Sequence, residues 1–142
     1  MYKKILVPVD LAEGDTTQLA LDAALALANV ESDATLRLVN VQPLVPVAFI
    51  DYIPPNFDEE IRETAEKELA DAAAKITLPR ERVSSAVRFG AVYPEVLAEA
   101  EDWGADLIVV GSHRPTMATY LLGSNAKTIV RHAKCSVLVV RK

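Results

Sequence analysis

The sequence predicts an α/β fold in which a parallel sheet is covered by helices on both faces. Strand-like and helical patterns alternate strictly along the chain. The strand runs are continuously apolar, as strands buried on both faces require. Two of them stop abruptly, at Asp10 and at Gly111. At 142 residues the chain reads as one domain, 1–142. Its 51% hydrophobic and 25% charged content is that of a soluble globular protein and excludes a disordered tail.

Each element follows from local pattern. Lys4 to Asp10 ("KILVPVD") reads as a buried first strand, ended by its polar residue. Thr16 to Asn29 reads as a helix with threonines available as caps and Leu19, Ala23, Ala26 and Leu27 on one face. Ala34 to Val41 is a second strand. In the stretch that follows, Pro43, Pro46, Pro54 and Pro55 forbid a regular helix. It is long for a connector, and such loops are usually functional or mobile. Asp58 to Ile76 reads as a charged amphipathic helix, with Ile61, Ala65, Leu69, Ala72 and Ala73 inward. Val83 to Arg88 is a third strand. Tyr93 to Trp103 is a helix with Val96, Leu97 and Ala100 inward, ended by Gly104. Leu107 to Val110 is a fourth strand, closed by Gly111. Ser124 to Ala133 is a helix using Ile129, Val130 and Ala133, and Ser136 to Val140 is a fifth strand.

Charge narrows the partner. A net charge of −5 argues against nucleic acid, whose phosphates call for a surplus of exposed cations. The acids crowd Asp58 to Asp71. From Gly111 to Lys142 there is no Asp or Glu, while Arg114, Lys127, Arg131, Lys134, Arg141 and Lys142 all fall there. An acidic protein with one basic segment suits a small phosphorylated ligand. No apolar stretch approaches the roughly 18 residues of a membrane span. The N-terminal apolar run reads as a strand, not a signal peptide, so a cytoplasmic protein with no membrane partner is expected. The single cysteine, Cys135, excludes an internal disulfide and reads as a small hydrophobe.

In a parallel sheet of this kind the ligand crevice lies beyond the carboxyl ends of the strands, where the winding reverses. Asp10 ends the first strand and Gly111-Ser112 ends the fourth. Gly123-Ser124 stands directly before the last helix, whose N-terminus offers unpaired N–H groups to an anion. Gly123 lets a phosphate oxygen approach the backbone, Ser124 caps the helix or donates to the phosphate, and Asn125 adds an amide. Arg114 supplies a forked charge contact. His113 reads equally as a phosphate contact or a solvated loop residue. The same Gly-Ser pair also reads as a plain helix cap. Neither G-x-x-x-x-G-K-[ST] nor G-x-G-x-x-G occurs, which excludes a P-loop NTPase and argues against a dinucleotide dehydrogenase. His113 and His132 have no carboxylate partner in sequence, so metal binding and acid–base catalysis lack support.

Together "ILVPVD", "ADLIVVGSHRP" and "LLGSNAKTIVRHAKCSVLVVR" resemble the universal stress protein family over essentially the whole chain, and the F/G-type small bacterial members in particular. The resemblance implies a Rossmann-like, adenine nucleotide alpha hydrolase-like sheet in order 3-2-1-4-5. It implies a homodimer joined through Ser136 to Val140, and a nucleotide-dependent role in stress response. It also implies ATP in the crevice between strands one and four, with Mg²⁺ possible at the phosphates. Pro8, Val9 and Asp10 then line the crevice, Asp10 meeting the ribose, with Val41 beside adenine. Gly111, Ser112, His113, Arg114, Gly123, Ser124 and Asn125 fall at the phosphates. The family motif G-x-x-G-x9-G-[ST] is altered here: Arg114 stands at the second glycine, and eight residues separate it from Gly123. Two other readings stay open: a nucleotide-independent interaction module using the proline-rich loop, and a slow ATPase or self-phosphorylating protein.

Overall fold

The computed structural model describes residues 2–11, 14–44, 47–111 and 124–141. Five parallel strands form one sheet: β1 (Lys4–Pro8), β2 (Thr35–Gln42), β3 (Val83–Phe89), β4 (Leu107–Gly111) and β5 (Ser136–Val140), in the order β3-β2-β1-β4-β5. The connecting helices are α1 (Gly14–Ala28), α2 (Phe57–Ala74), α3 (Val92–Trp103) and α4 (Ser124–His132). A 3-10 turn over Val47–Tyr52 interrupts the stretch after β2 that the prolines mark as irregular. The winding reverses between β1 and β4, the predicted switch point.

The two faces of the sheet build two cores. Ile5, Val7, Leu36, Leu38, Leu107 and Val109 point toward α1 and α2, where Ala20, Leu21, Ala24, Ala28 and Leu69 meet them. Leu6, Val39, Ile108 and Val110 point the other way, toward Val96 and Ala100 of α3 and Ala126 and Ile129 of α4. This is the period-2 alternation of a strand used on both sides. Two helices sit differently from their sequence reading. In α1 the buried stripe is Ala20, Leu21, Ala24 and Ala28, while Ala26 is exposed and Leu19, Ala23 and Leu27 are half-buried. In α4 Val130 is exposed and Ala126 takes the inward place.

Polar contacts fix the ends of these elements. Arg82 donates to the carbonyls of Ala28, Glu31 and Ala34 at 2.8, 2.9 and 2.7 Å, tying the C-terminus of α1 to the start of β2. Carbonyls at a helix end have no partner within the helix, and the arginine fork satisfies them. Gly104 ends α3 in the left-handed region at φ 82°, as the glycine at that position predicts. At the amino end of the sheet, the Asp106 carboxylate accepts from the Lys3 and Lys4 amides at 2.9 and 3.1 Å. The Asp106 amide in turn donates to the Lys4 carbonyl at 2.9 Å. The first and fourth strands are therefore fastened together at that end.

Candidate functional site

At the carboxyl end the hydrogen-bonded pairing of the same two strands stops early. Their paired residues are Ile5 with Leu107 and Leu6 with Ile108, whereas β1 stays paired with β2 as far as Pro8 with Val39. The Val9 amide donates to the Val39 carbonyl at 2.7 Å, so Val9 faces β2. Amides alternate in direction along a strand, so the position before it, Pro8, faces β4. Proline has no N–H to offer there. The residue that ends this pairing is thus written into the first strand, because it lacks the donor that the next step of the ladder needs.

Beyond Pro8 the chain is held in a fixed turn. The Asp10 amide donates to Thr17 Oγ1, and the Thr17 hydroxyl donates back to the Asp10 carbonyl, both at 3.1 Å. A threonine was available in the sequence as a cap; here it clasps the strand end to the first turn of α1. Asp10 is exposed at the lip of the crevice. On the other lip, β4 runs on to Gly111, and α4 begins at Ser124 with Asn125 exposed beside it. Ser112, His113, Arg114 and Gly123 lie outside the described residues. So the structure brings Pro8, Val9, Asp10, Gly111, Ser124 and Asn125 to the carboxyl end of the central strands, with Val41 at the end of neighbouring β2. Val41 is half-buried against the α3 and α4 core.

Two residues that the sequence reading passed over complete this end of the sheet. Asn40 is 4% exposed, and its Nδ2 donates to the Val9 carbonyl at 2.9 Å. Gln42 Nε2 donates to Asn40 Oδ1 at 2.6 Å. Both amides project from β2 toward α2, and alternation along "RLVNVQ" was the signal that placed them on one face. Beside them opens a cleft of about 440 Å³, lined by Leu11, Gln42, Phe57, Glu60, Ile61, Thr64, Ala65 and Glu68. Its walls are apolar where α2 faces the sheet, and its polar groups are chiefly hydrogen-bond acceptors. Leu11 places its edge one residue from Asp10.

Charge differs between the two lips. The first turn of α2 carries Asp58, Glu59 and Glu60. α4 carries no acid in its first turn and Arg131 and His132 in its last, and Lys127 is exposed between them. An anion would be drawn to the α4 lip and repelled from the α2 cleft.

A doubly wound sheet whose central ladder stops at its switch point, with an aspartate on one side and a helix N-terminus on the other, is the architecture in which α/β proteins of this class carry their ligand crevice. The universal stress protein family model matches residues 1–141. The chain belongs to the universal stress protein family. Universal stress protein G of Shigella flexneri is 38% identical over 144 residues, covering 99% of this chain and 100% of that protein. A family member from Burkholderia pseudomallei is 34% identical with a TM-score of 0.69, covering 98% of this chain and 96% of that one. The fold recurs in a universal stress protein solved in complex with cAMP, 23% identical, TM-score 0.70, with coverage of 98% and 97%. It recurs again in an Arabidopsis thaliana member solved with AMP bound, 18% identical, TM-score 0.64, with coverage of 99% and 91%.

Proposed function

We propose that this protein binds ATP across the crevice between β1 and β4 and works as a homodimeric, nucleotide-dependent regulator of a stress response in the cytoplasm. The observation that carries the reading is that the ladder between the two central strands stops at Leu6 and Ile108, at the point where the sheet order reverses, with Asp10 following one strand and α4 following the other. The phosphates lie at the α4 N-terminus, where Ser124 and Asn125 supply amides and Lys127 stands one turn away. Gly111, Ser112, His113, Arg114 and Gly123 complete that cradle. Asp10 receives the ribose hydroxyls, and Pro8 and Val9 form the floor. Asp10 is also the nearest carboxylate for a Mg²⁺ that bridges phosphates. Family structures bound to cAMP and AMP support an adenine nucleotide as the ligand class. The dimer forms through the edge strand β5, next to which Leu138 and Val130 leave 38% and 45% of their surface exposed.

Titration calorimetry of protein stripped of nucleotide tests the reading: saturable heat with ATP is expected, and none at millimolar ATP would end it. Gly123→Val should abolish that heat by blocking phosphate approach. A second reading has its own observation. Leu44, Phe49 and Tyr52, in the proline-rich stretch after β2, are 67%, 58% and 84% exposed, an apolar face suited to a protein partner. Under that reading Gly123→Val leaves stress survival of the host cell unchanged.

A further inference from the structure

Gln42 points to the α2 side of the sheet, while Val41, the residue set beside the base, packs in the α3 and α4 core. The 440 Å³ cleft between β2 and α2 is therefore separate from the base, and its chemistry calls for a different occupant. Leu11, Phe57, Ile61 and Ala65 form its apolar wall. Glu60, Thr64 and Glu68 recur every fourth residue of α2, so they stand in a row along one side of the helix. At about 1.5 Å per residue the steps of that row are about 6 Å, and its two glutamates lie about 12 Å apart along the axis.

The polar groups of this cleft are short of donors. Glu60 and Glu68 are exposed, and neither side chain has an ion-pair or hydrogen-bond partner among the described residues. Gln42 adds a fixed acceptor. The Val9 carbonyl takes Asn40 Nδ2 at 2.9 Å, and Asn40 Oδ1 takes Gln42 Nε2 at 2.6 Å, so Gln42 Oε1 is the atom left over. The cations of α2 do not offset the carboxylates: Arg62 lies over the Phe89 ring at 4.7 Å, and Lys67 is outside the lining. Gln42 and Phe57 also bracket the proline-rich stretch that carries the exposed Leu44, Phe49 and Tyr52. An apolar wall beneath a row of carboxylates repels anions and suits cations carried on apolar stems.

We propose that the cleft between β2 and α2 docks an extended basic segment of a partner protein, with lysine or arginine at two positions four residues apart and an apolar residue midway. An extended chain advances about 3.3 Å per residue and turns alternate side chains to one side. The two cations are then about 13 Å apart, matching the row from Glu60 to Glu68, and the apolar residue falls between them against Phe57 and Ile61. Spread along that row, 440 Å³ leaves a channel about 6 Å across. A helix, about 10 Å or more across with its side chains, is too broad for it. An extended backbone fits, and its free N–H groups give Gln42 Oε1 a donor. The inference is independent of nucleotide binding and goes beyond it by naming the chemistry of a protein partner.

The test is magnetic-resonance mapping of amide shifts in the isotope-labelled full chain, titrated with the peptide acetyl-SKALAKS-amide. Saturable shifts are expected at Leu11, Gln42 and the first three turns of α2, with Asn125 and Lys127 unmoved, and the affinity should fall as salt rises. The double variant Glu60→Gln, Glu68→Gln changes only exposed side chains and should weaken binding about fivefold. A peptide of the same composition with its lysines two residues apart should also bind less tightly. Saturating ATP should leave the peptide shifts in place, so failure to bind ATP does not disturb the result. A peptide that moves no amide at millimolar concentration overturns the proposal, as does a double variant that binds like the wild type or equal binding of the two peptides. Tighter binding of free spermidine than of the peptide would make the occupant a small polyamine. Cleft shifts that grow with protein concentration alone would make it a second copy. Either result also overturns the proposal.

Discussion

Under α1 and α2 the sheet is closed by aliphatic and alanine side chains along its length, with one buried amide, Asn40, at its carboxyl end. Under α3, toward the β3 edge, it is closed by charges. Glu99 is 7% exposed, yet its carboxylate accepts from Arg37 Nη1 and Arg88 Nη1, each at 3.0 Å. Arg88 also donates to Glu95 at 2.9 Å and Asp102 at 3.4 Å. Arg37 donates to Ser84 Oγ at 2.9 Å and lies over the Trp103 ring at 4.8 Å. The hydrogen bond that Arg88 donates to Glu95, and then that to Glu99, outweigh partial burial and raise the Arg88 pKa further above its already high value. The comparison shows one sheet covered in two ways. Under α1 and α2 small apolar residues suffice. Under α3 near the β3 edge, arginines lay their stems along the sheet and satisfy a carboxylate with their heads.

Three substitutions separate the two modes. The largest expected effect is on the apolar face: Leu69→Ala, at a position with 0% exposure, should lower unfolding free energy by about 3 kcal/mol in urea denaturation. A loss below about 1 kcal/mol would mean that α2 collapses to fill the space and that this face is not tightly packed. Next comes the charged face. Glu99→Gln retains shape but leaves two arginines short of a carboxylate, and a loss of about 2 kcal/mol is expected. That loss should persist in high salt, since a buried network is weakly screened. A loss that vanishes in salt would show the network to be a surface feature. The smallest effect is expected at Lys134→Ala. Its 3.2 Å pair with Glu101 leaves side chains 83% and 67% exposed, and denaturation should shift by under about 0.5 kcal/mol. Equal losses at Glu99 and Lys134 would erase the distinction between buried and exposed ion pairs on that face.

The sheet was legible because its strands are short, apolar and bounded by residues that stop them. β5 begins and ends where the pattern "SVLVV" does, and the prolines kept a regular helix out of the stretch after Val41. Helix phase was less legible. In α1 the run "LALDAALALA" is apolar at nearly every position, so the pattern does not choose between neighbouring faces; packing against Ile5 and Val7 does. In α4 alanine carries less apolar surface than valine, yet Ala126 fits the close approach to the sheet and Val130 faces out. Buried polar residues were missed for a single reason. Glu99 and Asn40 look like surface residues until their partners are known, and Arg37, Arg88 and the Val9 carbonyl are distant in sequence. The residues that end the strands were legible from pattern. The amide relay from Asn40 to Gln42 was not, because it rests on a contact with the Val9 carbonyl that only the fold creates.

Pro8 carries a consequence for how a ligand enters. Strands that could zip together in the empty protein would have to be unzipped again by whatever arrives, and part of the binding energy would be lost to that work. A ring nitrogen without hydrogen removes the donor that such closure would use at this step of the ladder, while Asp106 fastens the opposite end. The ladder between the central strands therefore stops where the proline stands, and that stop is set by covalent structure and not by occupancy.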